Sequence, residues 1–163
     1  MRTMGIDEAM THLADARRDS HPRTLVKRFN HLDAGAPFWL RALERRPSPW
    51  DPQAKLVLRA RLPEDPLARR EALWKHVQGL CARLEAEVQP DRIHVTAQGI
   101  GKLRVYFDPE LVPYGRPLRV IINGKSQAPV TPRKDLTALL RHVHETGDTA
   151  SLYGDSHDYA VPP

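Results

Sequence analysis

An α+β chain, with a sandwich-like antiparallel sheet and two or three helices, is the fold class predicted by three observations. Short runs rich in β-branched and aromatic residues recur along the chain with the two-residue alternation of half-buried strands. Fifteen prolines against nine glycines fall mostly between those runs, which favours many short elements joined by stiff loops. Two longer patterns, at about residues 65–88 and 132–146, carry helical spacing and recognisable end signals. At 163 residues the chain is long enough to bury one core.

In chain order, Met4–Arg18 places Ile6, Met10 and Leu13 at i, i+4 and i+7, the mark of a helix with one apolar stripe. Thr24–Asn30 and Pro37–Leu43 read as strands separated by Asp33-Ala34-Gly35. A breaker-rich loop, Pro47-Ser48-Pro49-Trp50-Asp51-Pro52, precedes a strand over Lys55–Leu62. There Leu56, Leu58, Ala60 and Leu62 share one face, and Lys55, Val57, Arg59 and Arg61 share the other. Asp65 and Pro66 then suit the cap and first position of a helix running to Val88. Its expected core stripe is Leu73, Val77, Leu80 and Leu84, flanked by Trp74, Cys81 and Val88, with Pro90 as the stop.

Three strands follow. Arg92–Ala97 turns Ile93 and Val95 inward; Lys102–Phe107 puts Leu103, Val105 and Phe107 on one face and Lys102, Arg104 and Tyr106 on the other. Pro117–Ile122 leads into Asn123-Gly124, the pair best suited to a type I′ turn, so a hairpin return over Lys125–Val130 is expected. A helix starting near Thr131-Pro132 would bury Leu136, Leu139, Leu140 and Val143 and close on Gly147. Arg141, His142 and His144 suit its negative end, and a strand over Asp158–Val161 completes the order.

Composition excludes several function classes. The single Cys81 permits no internal disulfide and no thiolate metal cluster, and reads as a small core hydrophobe. No apolar run approaches the roughly 20 residues of a membrane span, and the N-terminus lacks a secretory h-region, so a cytoplasmic location is expected. The formal net charge of +5 gives solubility and weak polyanion attraction, concentrated in Met1–Pro63 and Asp91–Pro132.

Motifs for chemistry fail one by one. Gly124-Lys125-Ser126 lacks the upstream glycine of a phosphate loop, where Arg119 stands, and follows a hairpin turn rather than opening a helix. Gly99-Ile100-Gly101 lacks the third glycine of a dinucleotide fingerprint. Ser156, His157 and Asp158 are adjacent, so their side chains cannot line up as nucleophile, base and orienter. His142 and His144 point about 200° apart round a helix and cannot share one ion. Glu85/Glu87 and Asp155/Asp158 lie on surface-like segments without the burial that separates two carboxyl pKa values. No catalytic residue, metal ligand or cofactor is assigned from these patterns. One constellation remains: if their strands are neighbours, Arg59 and Arg61 join Lys102, Arg104 and Tyr106 in a basic face able to bind phosphate or single-stranded nucleic acid.

From Arg17 onward the chain resembles the C-terminal β-rich region that follows the catalytic core in bacterial α/β-hydrolases related to prolyl oligopeptidase, dienelactone hydrolase and polyester depolymerases. The residues concerned are Arg17-Arg18-Asp19-Ser20-His21-Pro22-Arg23, Phe38-Trp39-Leu40, Asp91-Arg92-Ile93-His94-Val95, Leu103-Arg104-Val105-Tyr106-Phe107, and Arg116 through Lys125. The long helix at 65–88 is an insertion or a family variant relative to that pattern. In the family the Gly-x-Ser-x-Gly elbow, acid and histidine precede this region, and no such elbow occurs in this chain, so no catalytic role carries over. The resemblance implies that residues 1–20 correspond to the last helix of a hydrolase core and 21–163 to the β-rich domain. Ile6, Met10 and Leu13 would then be the interface to a hydrolase core or to a second copy. The expected function is a non-catalytic accessory or interaction domain; the alternative is an anion or single-stranded nucleic-acid binder.

Overall fold

The computed structural model describes residues 19, 21–46, 62–147 and 152–163. The expected helix Met4–Arg18, with Ile6, Met10 and Leu13, lies outside the described residues. So does the expected strand Lys55–Leu62 apart from its last residue, and with it Arg59 and Arg61.

The described residues form an α+β fold of eight strands and two α-helices: β1 (Thr24–Phe29), β2 (Leu40–Arg45), α1 (Pro66–Leu80), β3 (Ala82–Gln89), β4 (Arg92–Gln98), β5 (Ile100–Phe107), β6 (Arg119–Ile122), β7 (Lys125–Ser126), α2 (Leu136–Thr146) and β8 (Asp155–Ala160). Five strands make a sheet in the order β1-β3-β4-β6-β7, and three make a second in the order β2-β5-β8. Every pair is antiparallel except β4 with β6, which is parallel. One continuous core joins the inner faces, drawing Leu84, Val95, Val120 and Ile122 from the larger sheet and Leu40, Leu103, Val105 and Phe107 from the smaller.

The expected helix over Asp65–Val88 is corrected: its second half is strand. α1 starts as expected, with the Asp65 carboxylate accepting the Ala68 N–H at 2.7 Å and Pro66 in the first turn. It ends at Leu80, and β3 begins two residues later. Ala82, Leu84, Ala86 and Val88 are buried, while Arg83, Glu85, Glu87 and Gln89 alternate outward. Ala, Leu, Arg and Glu all favour helix in isolation, but β3 is flanked by β1 and β4, so pairing on both edges overrides local preference. Pro90 and Asp91 are the tight β3–β4 connection rather than a helix stop. Trp74 and Leu67 of α1 are more than 60% exposed, and Cys81 is only half-buried, its thiol directed at the Val77 carbonyl.

Other boundaries move for identifiable reasons. β2 starts at Leu40 rather than Pro37, because Phe38 adopts φ 49° and Trp39 folds into the core with its Nε1–H donating to the Pro22 carbonyl at 2.7 Å. Gly99, at φ 71°, is the corner where the chain leaves the larger sheet and enters the smaller. The Asn123-Gly124 turn has both φ angles positive, as the type I′ expectation requires. Asn123 also clamps β4, accepting the Ala97 N–H at 2.8 Å and donating to the Ala97 carbonyl at 3.0 Å. The return strand is shorter than expected, with one isolated bridge between Leu118 and Val130 beyond it.

α2 begins at Leu136 behind the cap residue Asp135, not at Thr131-Pro132. Residues leading to it are held extended against the start of β8: Arg133 N–H donates to Asp155 and Asp135 N–H to the Gly154 carbonyl. Asp135 then caps the Thr137 N–H at 2.8 Å, and Gly147 closes the helix at φ 66°. The expected buried stripe is also corrected. α2 lies on the outer face of the smaller sheet and turns Ala138 and His142 inward, while Leu136 and Leu140 are 70% and 59% exposed. The last strand runs over Asp155–Ala160, starting three residues before the expected Asp158–Val161.

Candidate functional site

Three features stand out, and all flank the smaller sheet. The first lies between that sheet and α2. Alternation along β5 puts Lys102, Arg104 and Tyr106 on one face, as the sequence predicts, and α2 lies over the Arg104 and Tyr106 part of it. Tyr106 is 1% exposed. Arg104 forms a fork on Asp158 of β8, at 2.5 and 3.1 Å, and reaches Glu145 of α2 at 3.1 Å. Glu145 also accepts the Tyr106 hydroxyl at 2.9 Å and the Arg41 guanidinium at 2.9 Å, while Lys102 lies 3.4 Å from Asp158. Two carboxylates thus meet three cations, and of the β5 residues expected on a basic face Arg104 and Tyr106 are paired beneath α2 while Lys102 remains exposed.

The charges reinforce one another. The hydrogen bonds from Arg104 outweigh burial and hold Asp158 below the usual carboxylate range. Burial works against Glu145, but the Tyr106 hydroxyl and the Arg104 and Arg41 guanidiniums outweigh it, so its pKa is also lowered. Asp158 in turn raises Arg104, and burial followed by Glu145 raises Tyr106, which stays a phenol at neutral pH. Beside this network His142 packs edge-on against Tyr106 and Tyr153, each at a ring-centroid distance of 4.8 Å.

This arrangement fixes charges rather than releasing them. Asp158 is occupied by Arg104 and Lys102, so Ser156-His157-Asp158 offers no relay; the His157 ring lies 4.7 Å from Tyr159 instead. Glu85 and Glu87 project from the outward face of β3, Glu85 against Arg83. His94 projects from β4 on the side opposite Ile93 and Val95.

The second feature is the outward face of α2. Leu136 and Leu140 are exposed there, Leu139 and Val143 are half-buried, and Leu152, 43% exposed, extends the apolar surface. A groove of about 340 Å³ lies at the start of α2, its apolar lining from Pro109, Tyr114, Leu136, Leu139 and Leu152 and its charged lining from Asp108, Lys134 and Asp135. The Tyr114 hydroxyl is turned away, donating to the Phe107 carbonyl at 2.8 Å, and burial raises its pKa.

The third feature joins the lead-in to β1 with the turn after β5. His21 Nδ1 lies 3.1 Å from Glu110, and His21 Nε2 lies 3.7 Å from Asp108. Sequence reasoning missed this convergence because it looked for short spacings, and these residues meet only through the fold. The Asp-x-Glu pair at 108 and 110 was the one local signal. It also missed Arg41, Glu145 and Asp158 as partners of Arg104.

No family model, no curated protein and no solved structure matches this chain. No helix among the described residues is long and apolar enough to cross a membrane.

Proposed function

We propose that this protein is a non-catalytic interaction domain that docks through the outward face of α2, its first partner being a second copy of the chain. One observation carries the reading: a helix with a continuous apolar stripe has turned a charged and aromatic side to its own sheet and left leucines outside, with Leu136 and Leu140 at 70% and 59% exposure. Contiguous exposed apolar surface of this kind marks an interaction site.

The stripe is self-complementary. In an antiparallel pair of α2 helices related by a two-fold axis between residues 139 and 140, Leu136 faces Val143, Leu139 faces Leu140, and Asp135 faces His144. Such an axis makes both partners use the same patch. One helix and its adjoining groove fall short of the roughly 800 Å² per partner of a standard interface, so the pair is weak, with dissociation on the order of 10 μM. In keeping with the sequence resemblance, the body this domain accompanies is a cytoplasmic serine-hydrolase core that cleaves esters or peptides. The domain positions or pairs that core without supplying a catalytic group.

Sedimentation equilibrium from about 1 to 500 μM tests the pairing. The wild type is expected to pass from monomer to dimer across that range, and Leu136→Glu/Leu140→Glu to remain monomeric with an unchanged circular dichroism spectrum. A wild type that stays monomeric throughout, or a double variant that still dimerises, refutes the proposal.

A further inference from the structure

Beyond that docking role, we propose that His21, Asp108 and Glu110 form a binding site for a divalent transition-metal ion of the zinc type. One ligand atom of each residue lies within 4.8 Å of the other two. Two carboxylates and one neutral imidazole balance the charge of a divalent ion. The nitrogen donor favours zinc and its neighbours over magnesium or calcium, which prefer oxygen alone.

The donors are held by the fold rather than by one flexible loop. On the histidine side, the Asp19 carboxylate accepts the His21 N–H at 2.9 Å, and Trp39 anchors the Pro22 carbonyl. The Arg23 carbonyl accepts the Val88 N–H at 2.8 Å, tying the segment to β3. The imidazole also rests edge-on against Tyr153, with centroids 5.6 Å apart. On the carboxylate side, Asp108 opens a tight turn in which its Oδ1 accepts the Glu110 N–H at 2.8 Å and its carbonyl accepts the Leu111 and Val112 N–H groups at 3.0 Å.

Accessibility divides the roles. The His21 and Asp108 side chains are only 13% and 14% exposed and form the fixed pair, whereas Glu110 is 75% exposed and moves to complete the set. Ligands about 2.1 Å from a tetrahedral ion sit about 3.4 Å apart; with Asp108 beside Nε2 and Glu110 beside Nδ1, the solvent-exposed Glu110 is the ligand that must swing across to complete the set on Nε2. Asp108 and Glu110 face opposite ring nitrogens, and the ion takes one of them. It would staple the entry to β1 onto the exit of β5, with water at the remaining positions.

Calorimetric titration of the chelator-treated full chain with Zn2+ and with Mg2+ tests the site, together with thermal unfolding in each ion. One Zn2+ per chain, no Mg2+ heat, and a Zn2+-dependent rise in Tm are expected. Glu110→Gln and His21→Gln should each weaken Zn2+ by about tenfold or more and remove the rise in Tm. Replacing the exposed His157 with Gln should change neither. Glu110→Gln tests the site even if His21→Gln misfolds, because its side chain is largely in solvent. No binding up to about 1 mM Zn2+ overturns the proposal. So does wild-type affinity in Glu110→Gln, which assigns the heat to the other histidines.

Discussion

Replacing Glu145 with Gln tests whether the network beneath α2 holds the helix to the sheet. The substitution keeps the side chain's size while removing its charge. Tyr106, 1% exposed, then keeps only a neutral amide acceptor, and exchanging a hydrogen bond worth about 1.5–3 kcal/mol for one worth about 0.5–1.5 kcal/mol costs about 1 kcal/mol. Arg104 keeps its fork on Asp158, and Arg41 is partly solvated, so those two losses add only about 0–1 kcal/mol each. The expected total is about 2 kcal/mol at pH 7, which in a chain of this length lowers Tm by about 4–8 °C. The pH dependence has a definite sign. Because the folded-state pKa of Glu145 is lowered from 4.5, its contribution is fully present above that value and is lost as pH falls through the folded one. Thermal unfolding followed by circular dichroism should therefore show the wild-type advantage shrinking as pH falls below about 4.5. Tyr106→Phe in a double-mutant cycle with Glu145→Gln should give less than additive losses, since Tyr106→Phe removes the bond that Glu145→Gln weakens. A variant within about 1 °C of wild type at pH 7, or an advantage that does not change with pH, would refute the reasoning.

Three further substitutions probe the sandwich. Leu84→Ala empties a fully buried position on β3 and should cost about 2–5 kcal/mol in urea unfolding. Glu87→Thr, outward on the same strand, should stay within about 0.5 kcal/mol; equal losses at both would contradict the inward–outward alternation. Gly35→Ala should cost about 1–3 kcal/mol, because the added methyl would sit 2.6 Å from the buried Phe29 ring. Unchanged urea stability in that variant would show that the ring can move aside.

How much of this was legible in the sequence depends on where the deciding forces act. β4 and β5 could be read because alternation in Arg92–Ala97 and Lys102–Phe107 coincides with β-favouring residues, so local and tertiary preferences agree. The Asn123-Gly124 turn and the Gly147 terminus were legible because backbone sterics alone select those residues. β3 was not: Ala82–Gln89 alternates perfectly, yet consists mostly of helix formers following a true helix, and only its two neighbouring strands decide it. The stripe on α2 was found, but its direction was not. Periodicity shows that two sides differ and is silent on which one meets the sheet. Here the polar side won, because Glu145 answers Arg41 and Arg104, and His142 fits between two tyrosines. The face of Lys102, Arg104 and Tyr106 was grouped correctly, whereas its acidic partners come from distant elements that no local pattern could supply.

The interleaving of the two sheets bears on how the chain is made. β5 is the middle strand of the smaller sheet, yet one neighbour, β2, precedes it by more than fifty residues and the other, β8, follows it by about as many. Half of the strand pairings, β1–β3, β2–β5 and β5–β8, therefore close over long stretches of chain, which slows folding compared with a helical bundle of equal size. While it is being synthesised, the polypeptide must carry β5 with one edge bare until Asp155–Ala160 has left the ribosome. That interval is when a chaperone, or the wrong strand, has its best opportunity to bind.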